Sequence, residues 1–249
     1  MFYSPLEQFQ ILPLVTFGTG IIDLSITNAM LATGSICLFL FCVFYALTIF
    51  KYKFIPARWQ VLFENMYVIT AGLVWDSIGS RGQKYFPLIF TIFSFILISN
   101  LSGLIPYSFT TTSHLIQTIT LSLIIFLGSF IICVSIHGSL MLTLFLPGGT
   151  GLSLAFLLVP LEIISYIFKP ISLGVRLFAN MMAGHTLLKV IAGFAWTMMG
   201  GSTFLLIGHL LPLSVLIILF GLEMAVALIQ AYVFTILTCI YINDALVLH

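Results

Sequence analysis

The sequence predicts an all-α polytopic membrane protein, with about five membrane-crossing helices plus one amphipathic surface helix. Two of the crossing helices are read as long, inclined and paired in an antiparallel hairpin. Three observations carry this. Of 249 residues, 61% are hydrophobic and 6% charged, whereas soluble domains run to about 25% charged. Apolar runs repeatedly reach or exceed the roughly 20 residues that cross a bilayer. Five of the eight basic residues, Lys51, Lys53, Arg58, Arg81 and Lys84, crowd into one connector. The net charge of +1 implies nothing about nucleic acid, and without a basic run or an RNA-binding signature no nucleic-acid partner is expected. Cys37, Cys42, Cys133 and Cys239 sit in apolar runs without ligand-like spacing and read as small membrane-buried hydrophobes, so no metal or other cofactor is expected.

The chain is read as one integral membrane domain over 1–249. Residues 1–25, with Pro5 and Pro13, form an extramembrane arm, and Met1 to Gln10 lacks the basic start of a signal peptide. Residues 26–50 make the first span. The connector 51–85 then carries the basic cluster, so it faces the negative side, cytoplasm or mitochondrial matrix, and the N-terminus lies outside. Within it Trp59, Leu62, Phe63, Met66, Ile69 and Leu73 recur at helical spacing with Gln60, Glu64, Asn65 and Asp76 between them. That pattern fits a helix lying on the membrane surface, with Pro56 near its start and Trp59 and Trp75 as interfacial anchors. A helical hairpin occupies 86–137, where Asn100 and Gln117 are read as interhelical hydrogen-bonders.

After the break at 147–151, the stretch Leu152 to Met199 runs 48 residues without a further turn cluster. As one helix it extends about 72 Å. Either it folds into two spans near Lys169 and Pro170, or it is one inclined helix bent at Pro160 and Pro170. Lys-Pro-Ile-Ser is a poor loop, which favours the single helix. The second break is the glycine-rich stretch 200–203, and another over-long run reaches residue 248, so 152–248 reads as a long hairpin.

Arg176 lies deep in this hairpin. A guanidinium near a bilayer centre costs roughly 2.5–3.5 kcal/mol, which marks it as functional unless it snorkels or is paired. In an antiparallel pair, facing residues have a nearly constant sum of numbers. His185 with Glu223 gives 408; Arg176 with Gln230 and Glu162 with Asp244 both give 406, and the centre falls at the 200–203 break. One register thus aligns three polar pairs. Along an ideal helix Glu162 lies about 21 Å from Arg176 on one side and His185 about 13 Å on the other. Glu162 and Asp244 then face the negative side, and His185 and Glu223 the positive side. Histidine and carboxylates exchange protons; arginine does not. The layout is two proton paths with a fixed cation between them. Such a cation attracts a carboxylate on a moving partner and favours its ionised form. Ala179, Ala183, Gly184, Gly221, Ala225, Ala227 and Ala231 leave room for a neighbouring helix.

At Ser172-Leu-Gly-Val-Arg-Leu177, Asn180, Ala183-Gly-His185, Gly221-Leu-Glu223 and Gln230-Ala-Tyr232, the chain resembles subunit a of the rotary F-type ATP synthase. The form it resembles is the mitochondrial one, subunit 6, with a fungal-like cast, and the hydropathy plan matches over nearly the whole chain. The resemblance implies a non-catalytic proton-channel subunit whose partners are the c-subunit ring, other membrane and peripheral-stalk subunits, lipid and protons. It puts Arg176 at the essential arginine, with Asn180 and Gln230 as its polar neighbours. It also implies the mitochondrial inner membrane, with the N-terminus in the intermembrane space and the C-terminus on the matrix side. Lys169 and Lys189 are read as snorkelling, and His114, His209 and His249 as loop, helix-face or terminal residues. A solute transporter would favour an internal repeat, and a membrane enzyme a reactive constellation such as H-E-x-x-H; neither is present.

Overall fold

A backbone in hydrocarbon must satisfy its own polar groups, so long apolar segments become helices. The computed structural model describes residues 6–16, 25–49, 58–105, 108–138, 152–199 and 208–247. The breaks expected at 147–151 and 200–203 lie outside these residues, as do Pro5, Asp23, Lys51, Lys53, Pro56, Pro106 and His249.

Among the described residues six α-helices follow in order: α1 (Asn28–Ile49), α2 (Arg58–Ile78), α3 (Phe86–Gly103), α4 (Leu115–His137), α5 (Leu152–Met199) and α6 (Leu210–Leu246). A 3-10 segment, Gly79–Tyr85, joins α2 to α3, and a short 3-10 turn, Thr111–Ser113, precedes α4. Among the described residues five helical stretches are long and apolar enough to cross a membrane, with α2 and α3 counted as one. The protein is an all-α polytopic membrane protein.

The question left open for 152–199 is answered by α5, a single helix of 48 residues that contains both Pro160 and Pro170. Helix ends follow the local chemistry. Gly79 (φ 74°) and Gly138 (φ 56°) follow α2 and α4 directly and take the left-handed backbone that a side chain resists. At the start of α1, the Thr27 hydroxyl accepts from the Met30 N–H at 3.3 Å. The Asn28 amide oxygen accepts from the N–H groups of Leu12 and Ala29, and its amine donates to the Gln10 carbonyl. That asparagine ties down an element the sequence did not reveal, a two-stranded antiparallel pair of β1 (Pro13–Val15) and β2 (Ile26–Thr27).

The residues divide into two compact units, and α5 and α6 contribute to each. In the first (1–46, 95–114, 177–231), Leu104, Met181 and Ala227 form a buried cluster. Asn100 of α3 donates to the Ala227 carbonyl of α6 at 3.3 Å, the interhelical bond expected of it. In the second (47–94, 115–176, 232–249), Val74, Ile89, Cys239 and Ile242 form one cluster. Cys133 and Ala245 form another. Phe126 packs on Tyr166 with ring centroids 4.8 Å apart. In lipid such contacts hold through packing rather than through release of water.

Burial within the protein adds detail at two places. The buried stripe of α2 is Met66, Thr70, Leu73 and Val74, while Trp59, Leu62 and Ile69 are exposed. A helical stripe 100° wide admits only one of two adjacent apolar rows, and the row through Thr70 and Val74 makes the contacts. Of the cysteines, Cys133 and Cys239 are buried within the protein, and Cys37 and Cys42 lie on the outer surface of α1, a helix apolar enough to cross a membrane.

Candidate proton-transfer site

In the first unit, α5 and α6 run antiparallel and bring His185 to Glu223, with Nε2 3.8 Å from Oε1. The Glu223 side chain is 6% exposed and His185 15%, so the pair is enclosed in apolar helix surface. Gly184 makes this possible. A Cβ there would collide with the Glu223 carboxylate, meeting its carboxyl carbon at 2.8 Å. The sequence set Gly184 among small residues that leave room for a neighbouring helix; the room at this glycine is filled by Glu223 of α6. Beside the pair lies a cavity of about 220 Å³, lined by Asn180, Gly184, Leu187, Leu222, Glu223 and Val226. Asn180 Nδ2 donates to Gln230 Oε1 at 2.9 Å.

The small residues separate into two groups. Ala227 and Ala231 are buried within the unit, whereas Ala179, Ala183, Gly221 and Ala225 are exposed. The exposed four are the open part of the expected stripe.

In the second unit, Asp244 Oδ2 lies 3.5 Å from Lys169 Nζ. The ammonium also lies over two aromatic rings, 5.6 Å from the centroid of Tyr166 and 5.9 Å from that of Tyr241. Tyr241 Oη donates to the Lys169 carbonyl at 3.3 Å. A cavity of about 290 Å³ is lined by Phe168, Lys169, Ser172, Arg176, Leu237 and Tyr241. Arg176 is exposed and has no ion-pair partner among the described residues. Its position is fixed by its neighbours, because Leu173 is buried and Gly174 presses on α4. A Cβ on Gly174 would meet the Ile119 Cα and the Thr118 carbonyl oxygen at 3.0 Å each.

The register arithmetic therefore holds for His185 and Glu223 and slips elsewhere. Gln230, set opposite Arg176, bonds to Asn180 one turn further along α5. Asp244, set opposite Glu162, pairs with Lys169, and Glu162 is half-buried with Oε2 unpartnered. Glu162 and Lys169 are seven residues apart, just under two turns, so residue sums do not fix the partner of Asp244 and charge selects it. A carboxylate is attracted to an ammonium and repelled by another carboxylate. Lys169, read as snorkelling, is held by Asp244 and two tyrosines.

The described residues thus form a helical membrane protein with a buried acid–imidazole pair and an exposed arginine that has no ion-pair partner among them. The family model for the ATP synthase A chain matches residues 29–243. The chain is 66% identical to the ATP synthase subunit a of Pylaiella littoralis over 250 residues, covering all of both proteins. It is 49% identical to that of Chondrus crispus over 246 residues, covering 99% of this chain and 97% of the relative. It is 48% identical to that of Oenothera berteroana, covering 99% and 90%. The chain belongs to the ATP synthase A chain family, the proton-translocating subunits of the synthase's membrane sector. These relatives are algal and plant proteins, not fungal ones.

Proposed function

We propose that this chain is the stator subunit through which protons reach and leave a rotating ring of c subunits. His185 and Glu223 form the outer-side proton path, and Glu162 and Asp244 the inner-side path. Arg176 stands between the two along α5. The observation that carries this reading is the exposed guanidinium on a long apolar helix, without an ion-pair partner among the described residues. A permanent charge left bare in lipid is costly unless a partner supplies the countercharge, and a membrane carboxylate on each c subunit does so.

The exposed small residues Ala179, Ala183, Gly221 and Ala225 support a close-packed partner helix. Because arginine does not release its proton, it blocks direct flow between the paths, so a proton crosses only by riding the ring. Each charge driven through 100 mV supplies about 2.3 kcal/mol for rotation. Asn180 and Gln230, bonded to each other, are the supporting polar residues. The chain acts as one membrane domain in the mitochondrial inner membrane, with its N-terminus in the intermembrane space and its C-terminus in the matrix. Its other neighbours are the remaining membrane and peripheral-stalk subunits.

The test is Arg176→Lys in the assembled synthase. Lysine keeps the charge but not the fixed, pre-organised guanidinium fork. The expected outcome is an assembled complex without proton-driven ATP synthesis; synthesis at the parent rate overturns the assignment.

A further inference from the structure

Serine and threonine inside these helices nearly all bond back to a carbonyl one turn earlier. Ser94 reaches Phe90, Ser122 reaches Ile119, and Thr238 reaches Phe234. Against that habit, several buried polar atoms of the first unit have no hydrogen-bond partner. Among the described residues they include Ser99 Oγ, Asn100 Oδ1, Thr111 Oγ1, Thr112 Oγ1, His185 Nε2, Gln230 Nε2 and both carboxylate oxygens of Glu223. Ser99, Asn100 and Thr111 are 0–1% exposed, and Thr112 and Glu223 are 5% exposed.

The 3-10 turn that carries the two threonines lies beside His185. A Cβ on Gly103 would meet Thr110 Cγ2 at 3.1 Å and His185 Nε2 at 3.9 Å, so both flank one glycine. Within the turn, Thr110 and Ser113 satisfy each other. The Thr110 hydroxyl donates to Ser113 Oγ at 2.6 Å, and that hydroxyl donates to the Thr110 carbonyl at 2.7 Å. Thr111 and Thr112 have no such arrangement. Asn100, through its bond to Ala227, is anchored one turn from Glu223 on α6.

Isolated buried polar atoms are costly, and a local concentration of them marks a place where bound water supplies the missing bonds, about three per molecule. We propose that Thr111 and Thr112, with Ser99 and Asn100, hold an ordered water cluster against the His185–Glu223 pair. The turn is then the hydroxyl lining through which protons reach the pair from outside. The threonines are positioning residues. Each hydroxyl accepts from one water and donates to the next, so a proton can move along the cluster without either threonine changing charge. The inference rests on the outer-path reading above and extends it to residues that reading does not use.

The test uses the assembled synthase in sealed vesicles, with Thr111→Val and Thr112→Val combined, both threonines replaced by serine, and Glu223→Gln as reference. Valine keeps the shape and removes the hydroxyls. The expected result is an assembled complex of unchanged thermal stability whose proton-driven ATP synthesis falls about fivefold, as for a lost hydrogen bond at a transfer step. The serine variant recovers the rate, and the solvent deuterium isotope effect rises in the valine variant. Parent rates in the valine variant, with Glu223→Gln inactive, overturn the water site alone and mean dry packing. An active Glu223→Gln overturns the outer path and the site with it. If the valine variant does not assemble, Thr111→Cys and Thr112→Cys decide. Reaction with a small hydrophilic thiol reagent from the outer side, above that of the native cysteines, is expected. No added reaction overturns the proposal.

Discussion

Glu223 shows how much one residue depends on what surrounds it. Its carboxylate is enclosed by apolar helix surface, with an imidazole on one side and the bare backbone of Gly184 on the other. Glu223→Gln preserves the volume and removes the titrating group, so the complex is expected to assemble while proton-driven synthesis is lost; vesicle ATP synthesis measures this. Gly184→Ala acts by geometry alone. The added methyl occupies the carboxylate's place, and overpacking of this kind costs about 1–3 kcal/mol. Lower thermal stability together with lost proton flux is expected. An alanine variant with parent stability and flux would show that Glu223 has room to move.

At the scale of elements, α5 and α6 lie side by side in each unit, and the register can be probed chemically. Cysteines at His185 and Glu223 are expected to crosslink faster than cysteines at Leu187 and Glu223, displaced by about half a turn. Equal rates would contradict the antiparallel pairing seen within that unit. The Lys169–Asp244 pair is a separate question. Both side chains are about one-third exposed, 38% and 33%, so screening limits their coupling to about 0.5–1 kcal/mol. Lys169→Asp is expected to lower synthesis by placing two carboxylates together, and adding Asp244→Lys to restore part of it. No recovery in the double variant would show that the Lys169–Asp244 pair does not contribute to synthesis.

For the molecule as a whole, the proposed division into outer and inner paths predicts sidedness. With the pH varied on one side at a time, variants of His185 or Glu223 are expected to change the response to outer pH. Variants of Glu162 or Asp244 should change the response to inner pH. The reverse pattern would invert the topology inferred from the basic residues of the connector.

Much of this was legible in the sequence because lipid simplifies the problem. Apolar length alone specifies a helix where backbone groups have no solvent to bond. The scarcity of charge in such runs then isolates Arg176, His185 and Glu223 as the residues to explain. Position arithmetic found the His185–Glu223 pair because both lie on facing stripes of two straight elements. Other features were not legible, each for a physical reason. Which of two neighbouring rows of α2 is buried depends on contacts outside the helix. That Asp244 meets Lys169 and not Glu162 turns on less than two helical turns of register and on the sign of a charge. That Gly184 receives a carboxylate and Thr111 and Thr112 lack partners depends on how separate segments come together. The sequence by itself determined the helical membrane class, the two over-long helices and the isolated arginine, since these follow from hydrophobic length and the cost of charge in lipid. Only the tertiary structure decided which polar groups meet and which are left unsatisfied, since distances of a few ångströms between separate segments set hydrogen bonds and ion pairs.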